Sequence, residues 1–240
     1  MNIADIEYSY HFKEAVEPWS YLKFPYLRDV GWNGFVDGVD SGVYCATPLS
    51  RLNASDGMAT PKAQEHFEKF YETLGSKKEG GRYSPVHYRL ATHWARLVEL
   101  LYAAERMLEL TEDKEITDPN VRMVVTNTPT EGVGSVEAPR GTLTHHYKTD
   151  ENGILTDVNL IVGTTNNYAP IAMSIKKAAE GLIKGGEVSE GLLNTIEMAF
   201  RNYDPCMSCA THSLPGQMPL EIEIKDTEGN LIETQSQYID

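Results

Sequence analysis

Apolar residues recur at helical spacing in four stretches of the chain and alternate with polar residues in two others. The pattern predicts an α+β fold, mainly helical, with two hairpins. One helix is expected over Pro61–Leu74, with Thr60 as N-cap, Pro61 at the first helical position and Gly75 as its stop. The longest is expected over Pro85–Leu110, started by Ser84 and Pro85. Leu90, Trp94, Leu97, Leu101, Ala104 and Leu108 share one of its faces. Two more follow, Pro170–Lys184 closed by Gly185-Gly186, and Ser189–Phe200. Thr144–Thr149 and Ile154–Val162 flank the turn Asp150-Glu151-Asn152-Gly153 as one hairpin, and Pro219–Gln235 folds about Glu228-Gly229-Asn230 as the other. Residues 1–60 read as short irregular strands and loops, and residues 113–135 as a loop with a brief β element at Val121–Val125.

Composition narrows the class. With 240 residues, 41% hydrophobic and 23% charged, the chain can bury a core and does not have a disordered composition. No apolar run approaches the roughly 20 residues that cross a bilayer. The stretch Met1–Phe12 has neither a basic nor an apolar region of the secretory kind, so a cytoplasmic location is expected. A net charge of −14 with no basic stripe argues against nucleic acid, because a binder must neutralise phosphates.

The three cysteines carry the chemistry. Cys206 and Cys209 form C-x-x-C within Asp204-Pro205-Cys206-Met207-Ser208-Cys209-Ala210-Thr211-His212. Such a turn holds two sulfurs close enough for one metal, or for two metals sharing a bridge, and His212 can face the same region. Thiolates suit nickel, zinc and iron alike, so the local chemistry leaves the metal open. Zinc needs two further ligands, which Cys45 and a histidine can formally supply. A redox dithiol is disfavoured because no strand feeds the motif into a helix. Cys45 itself reads as a small buried hydrophobe, His93 as packing beside Trp94, and His145 and His146 as hydrogen-bonding hairpin residues. The aromatic run Trp19, Tyr21, Phe24 and Tyr26 reads as core or interface.

The D-P-C-x-x-C-x-x-H segment resembles the C-terminal signature of [NiFe]-hydrogenase large subunits. Three further stretches resemble elements of that family, in the same order: Ala46-Thr47-Pro48-Leu49-Ser50-Arg51-Leu52-Asn53, Glu137-Ala138-Pro139-Arg140-Gly141 with Thr142–His146, and Val162-Gly163-Thr164-Thr165-Asn166-Asn167. The resemblance implies the C-terminal half of a large-subunit-like fold, with peripheral hairpins. It implies a reversible heterolysis of dihydrogen at a nickel–iron centre whose iron carries carbon monoxide and cyanide. Cys206 would be a terminal nickel thiolate, Cys209 a bridge, and His212 a ligand of a structural magnesium. Pro139 and Thr164 would line the pocket of the diatomic ligands. Arg140, fixed by Asp204, would hold a planar permanent charge over the open metal position.

The family also needs a second C-x-x-C near its N-terminus, which this chain lacks. The expectation is therefore half of a site, inactive alone, awaiting the missing N-terminal half. Residues 1–212 would belong to the large-subunit domain, and Ser213–Asp240 would be an extension removed by a maturation endopeptidase. Other implied partners are a small subunit with iron–sulfur clusters, diaphorase-type subunits and nickel-delivery proteins. Glu17–Leu27 and Thr164–Ile171 resemble most the soluble class that exchanges electrons with pyridine nucleotides. The competing readings are a metal-free scaffold of the quinone-reductase type and a zinc-binding interaction module.

Overall fold

The computed structural model describes residues 6–9, 24–184, 189–211 and 220–237. The expected helix stop Gly185-Gly186, the aromatic residues Trp19 and Tyr21, and His212 lie outside them. The chain divides into two units, one spanning Tyr44–Asn167 and the other combining Met1–Val43 with Tyr168–Asp240.

The Tyr44–Asn167 unit opens with a helix the hydrophobic pattern missed, α1 (Pro48–Ala54). Seven residues are too few to show a period, so its signal is its cap. Thr47 Oγ1 accepts the Ser50 N–H, and Pro48 fills the first turn. Helix α2 (Pro61–Thr73) matches expectation, with Gly75 leaving it at φ +74°. Its capping is different. Thr60 Oγ1 donates to Glu105 Oε2 (2.7 Å), and the same carboxylate accepts the backbone N–H groups of Ala63 (2.9 Å) and Lys62 (3.2 Å). A side chain from α3 (Ala91–Glu112) thus satisfies donors that every helix leaves open at its N-terminus. Between α2 and α3 lies a small hairpin of β3 (Lys78–Glu79) and β4 (Arg82–Tyr83).

The expectation for α3 needs two corrections. It starts at Ala91 rather than Pro85, and its buried residues are Ala91, Thr92, Ala95 and Val98. Leu90, Leu97 and Leu108 are exposed, at 75%, 61% and 61%. The helix is apolar on both sides, so periodicity alone chooses the bulkier side. The small Ala91 and Ala95 are what let it approach a core of Leu49, Leu52, Phe67, Phe70, Tyr71 and Val86. Within that core Asn53 holds the backbone of Val86, donating to its carbonyl at 2.8 Å and accepting its N–H at 3.0 Å, and it accepts the Tyr71 hydroxyl at 2.9 Å. Desolvation pushes the Tyr71 phenol up to about 12. His93, expected to pack, is exposed instead, with Nδ1 3.1 Å from Arg96 Nη1.

Val121–Val125 form no strand, which corrects the expected β element there. The strand lies later, as β5 (Glu131–Ala138), and joins β6 (Gly141–Thr149) and β7 (Leu155–Ile161) in an antiparallel meander. Every residue of β5 up to Glu137 is exposed, so it has no alternation to read. Ala138 pairs with Gly141, so Pro139 and Arg140 form a two-residue hairpin loop. The β6–β7 hairpin is as expected. A 3-10 turn, Gly163–Asn167, follows β7, and all five of its residues are buried.

The second unit holds β1 (Ile6–Ser9) paired antiparallel with β2 (Phe24–Leu27), then α4 (Tyr168–Leu182), α5 (Glu190–Arg201) and α6 (Met207–Thr211). The hairpin β8 (Leu220–Lys225)–β9 (Leu231–Gln237) closes the chain. Ser189 caps α5 by accepting the Leu192 N–H. Phe24, Tyr168, Ala169 and Ala210 form a core, with Trp32, Phe35 and Val43 packed against it. The α+β class with peripheral hairpins is therefore as expected. Among the described residues no helix is long and apolar enough to cross a membrane.

Candidate metal centre

The Cys206–Cys209 turn is built by what brackets it. Helix α5 ends at Arg201, and Asp204 then reverses the chain at φ +51°, the one non-glycine residue with positive φ among those described. Asparagine and aspartate reach this left-handed region at less cost than other side chains, and a residue in this conformation commonly ends a helix. Just before it, Tyr203 is 1% exposed; its hydroxyl lies 2.8 Å from Ser174 Oγ and donates to the Pro170 carbonyl at 3.1 Å. Just after it, Ala210 of α6 packs beside Phe24, Tyr168 and Ala169. The turn is therefore anchored on both sides to α4 and the aromatic core.

Within the turn the Cα atoms of Cys206 and Cys209 are 5.3 Å apart, and the sulfurs are joined as a disulfide. Ser208 Oγ lies 3.9 Å from Cys206 Sγ. Contrary to the expected setting, the motif does run into a helix, the short α6, although no strand leads into it. Reduced, two thiolates this close can both reach one metal. Among the described residues no three of histidine, cysteine, aspartate and glutamate come together as a metal site. Cys45 is half-buried and belongs to the other unit, with Sγ 4.0 Å from Thr47 Oγ1.

Pro139, Arg140 and Thr164 come together in the Tyr44–Asn167 unit. Pro139 is exposed and Arg140 half-buried in the β5–β6 turn, while Thr164 is 2% exposed in the 3-10 turn. The two segments touch through backbone. A Cβ on Gly141, whose φ is +146°, would sit 2.5 Å from the Gly163 carbonyl oxygen, and a Cβ on Gly163 would be 3.4 Å from the Arg140 carbonyl carbon. Two asparagines seal the contact. Asn166 Nδ2 donates to the carbonyls of Thr142 (2.8 Å), Gly163 (3.1 Å) and Val162 (3.2 Å). Asn167 Nδ2 donates to the Arg140 carbonyl at 2.6 Å, and its Oδ1 accepts the Ala46 N–H at 2.9 Å.

Sequence reading missed Tyr203, and it held Asn166 and Asn167 only as letters of the Val162–Asn167 stretch, with no hint of the carbonyls that they bind. His145 Nδ1 lies 2.6 Å from the Tyr147 hydroxyl, and His146 Nε2 lies 2.8 Å from Glu131. The His146 contact, with Lys148, holds the Glu131 carboxyl below its ordinary value. Both histidines thus serve the sheet. Burial pushes the Tyr44 phenol above its usual range, against a lowering bond to Thr142 behind the same turn.

Residues 42–212, most of the chain, match the model of a family described as nickel-dependent hydrogenase. The chain belongs to the nickel-dependent hydrogenases. It is 53% identical over 229 residues to an iron-sulfur subunit of the F420-non-reducing hydrogenase of Archaeoglobus profundus, an alignment covering 95% of this chain and 46% of that one. It is 43% identical to the beta subunit of the NAD-reducing hydrogenase HoxS of Cupriavidus necator, covering 95% of this chain and 44% of the relative. A crystal structure of NAD+-reducing [NiFe]-hydrogenase in the H2-reduced state superposes with a TM-score of 0.69 at 37% identity, over 87% of this chain and 42% of that one. This hydrogenase chain therefore spans less than half the length of these relatives. The family implies a nickel–iron centre, and Cys206 and Cys209, once reduced, are a donor set suited to soft metals.

Proposed function

We propose that this chain is the C-terminal half of the catalytic large subunit of a [NiFe]-hydrogenase, active in reversible heterolysis of dihydrogen once its missing half is supplied. The observation that carries the reading is the anchored Cys206–Cys209 turn, with its sulfurs side by side, in a chain of this family. A nickel–iron centre held by these two thiolates would supply the redox chemistry that takes dihydrogen to two protons and two electrons. Cys206 would hold the metal terminally, and its Sγ would receive one of the two protons. Cys209 would be a second thiolate ligand of the same centre. Arg140 would present a planar guanidinium with its donors in a fixed fork. Asp204 would orient it, while Pro139 and the buried Thr164 would exclude water from the iron's carbon monoxide and cyanide. His212 would hold magnesium.

The outer face of α3 supports a chain that is one part of a larger subunit. Leu97, Leu100, Met107 and Leu108 are all more than half exposed. A groove of about 750 Å³ runs beside Leu97 and Leu100, bordered also by Leu52, Met58, Arg96, Ala138 and Pro139. Such a face is a contact surface awaiting its cover. The cover proposed is the remaining half of the large subunit. Further partners in the cytoplasm would be an iron–sulfur small subunit, diaphorase-type subunits and nickel-delivery proteins. Residues 213–240 are proposed as the segment an endopeptidase removes after His212. The electron acceptor proposed is a pyridine nucleotide, on the likeness to the NAD-reducing relative. The 53% identity to an F420-non-reducing hydrogenase favours a second reading, in which another acceptor is used.

The test is co-expression with the complementary large-subunit portion of the Archaeoglobus profundus relative, maturation proteins and a small subunit. Nickel and iron bound together, with dihydrogen-dependent dye reduction, are expected. Stoichiometric zinc without nickel would sink the proposal.

A further inference from the structure

The Pro139–Arg140 loop lacks the residues that two-residue hairpin turns favour. Two-residue hairpin loops favour turns with positive φ at the loop positions, usually met by asparagine, aspartate or glycine. Neither Pro139 nor Arg140 adopts positive φ, and proline's ring fixes its own φ near −65°. What holds the loop lies far off in sequence. Arg51 Nη1 donates to the Ala138 carbonyl at 3.1 Å, and Arg51 Nη2 to the Pro139 carbonyl at 3.0 Å. Asn167 takes the next carbonyl, that of Arg140, at 2.6 Å. Three successive carbonyls, the last of β5 and the two of the loop, are each captured by a side chain.

Arg51 is itself held in place. Its Nε and Nη2 donate to the two carboxylate oxygens of Glu99 on α3, both at 2.6 Å, and Nη1 also reaches the Ala46 carbonyl at 3.3 Å. These five contacts match the five N–H donors of a guanidinium. Both partners are largely shielded from solvent, with side chains 16% and 22% exposed. A lysine has three donors on a point charge and cannot span two carbonyls and a carboxylate in one plane.

We propose that Arg51, held by Glu99 and aided by Asn167, is a positioning residue that sets the backbone direction from which Arg140 projects. This rests on the catalytic reading of Arg140 given above, but its first test does not. In the full 240-residue chain, hydrogen exchange of the Arg140, Gly141 and Thr142 amides is compared between wild type, Arg51→Lys and Glu99→Gln. Both variants should speed exchange there by on the order of tenfold or more, with α4 and α5 unchanged. Unchanged exchange at the loop in either folded variant overturns the proposal. If Arg51→Lys fails to fold, Glu99→Gln decides, since it keeps the carboxylate's shape while removing its charge and one of the two acceptor oxygens that hold Arg51.

The second arm uses the assembled subunit. Arg51→Lys should retain nickel and iron and the KM for dihydrogen, while kcat falls by on the order of a hundredfold, as misplacement of a reacting group does. A loosened loop with unchanged kcat would refute the positioning role while leaving the hydrogenase reading intact. Absence of dihydrogen turnover in the wild-type assembly, with the exchange result as expected, would instead refute the hydrogenase reading.

Discussion

Tyr203→Phe isolates what a single hydroxyl contributes to the cysteine turn. Tyr203 is 1% exposed, and its hydroxyl bridges Ser174 Oγ (2.8 Å) and the Pro170 carbonyl (3.1 Å). Phenylalanine keeps the ring and removes both bonds. The Pro170 carbonyl stands in the first turn of α4 and keeps its helical acceptor role, so only the Ser174 hydroxyl loses a principal partner. With a net of about 0.5–1.5 kcal/mol per hydrogen bond, the expected cost is about 1–2 kcal/mol. That corresponds to a Tm lowered by roughly 2–8 °C for a chain of this size. Because Tyr203 directly precedes the Asp204 reversal, much of the cost should appear as local opening of the turn. Alkylation of reduced Cys206 and Cys209 should then accelerate by up to about tenfold, the factor equivalent to 1.4 kcal/mol. A double-mutant cycle with Ser174→Ala should show a coupling above about 0.5 kcal/mol. An unchanged Tm together with unchanged alkylation rates would refute the anchoring argument.

Glu105 is the cap of α2, and its titration should show it. Desolvation pushes its carboxyl up, but the bonds from Thr60, Ala63 and Lys62 outweigh this and leave it below the ordinary carboxylate value. A depressed folded pKa means stability that is present above the unfolded value and lost as pH falls through the folded one. Glu105→Gln should therefore melt below wild type at neutral pH, with the gap closing below about pH 4; a gap independent of pH would contradict the cap. Gly141→Ala places a methyl 2.5 Å from the Gly163 carbonyl at a φ of +146°. It should cost at least about 1–3 kcal/mol by chemical denaturation, and a variant as stable as wild type would mean the loop and the 3-10 turn are not in the contact described.

Local signals in the sequence were enough wherever neighbours along the chain carry the interaction. Pro61 and Gly75 bound α2, the Asp150–Gly153 turn sets the β6–β7 hairpin, and the C-x-x-C spacing brings Cys206 to Cys209. The resemblance to the hydrogenase family was likewise legible, because four motifs keep their order. Arg51 and Asn53 stood out only as letters in one of those motifs. Their work depends on partners distant in sequence: Glu99, Ala138 and Pro139 for Arg51, Val86 and Tyr71 for Asn53. The buried face of α3 was misread because both of its sides are apolar, and only the approach of α1 and α2 selects Ala91 and Ala95 over Leu97 and Leu108. The capping of α2 by Glu105, and the capture of the Arg140 carbonyl by Asn167, were equally hidden. Periodicity and spacing report which residues can be neighbours along one element. A buried hydrogen bond between elements is decided only when folding removes water from both groups and leaves each the other as its partner.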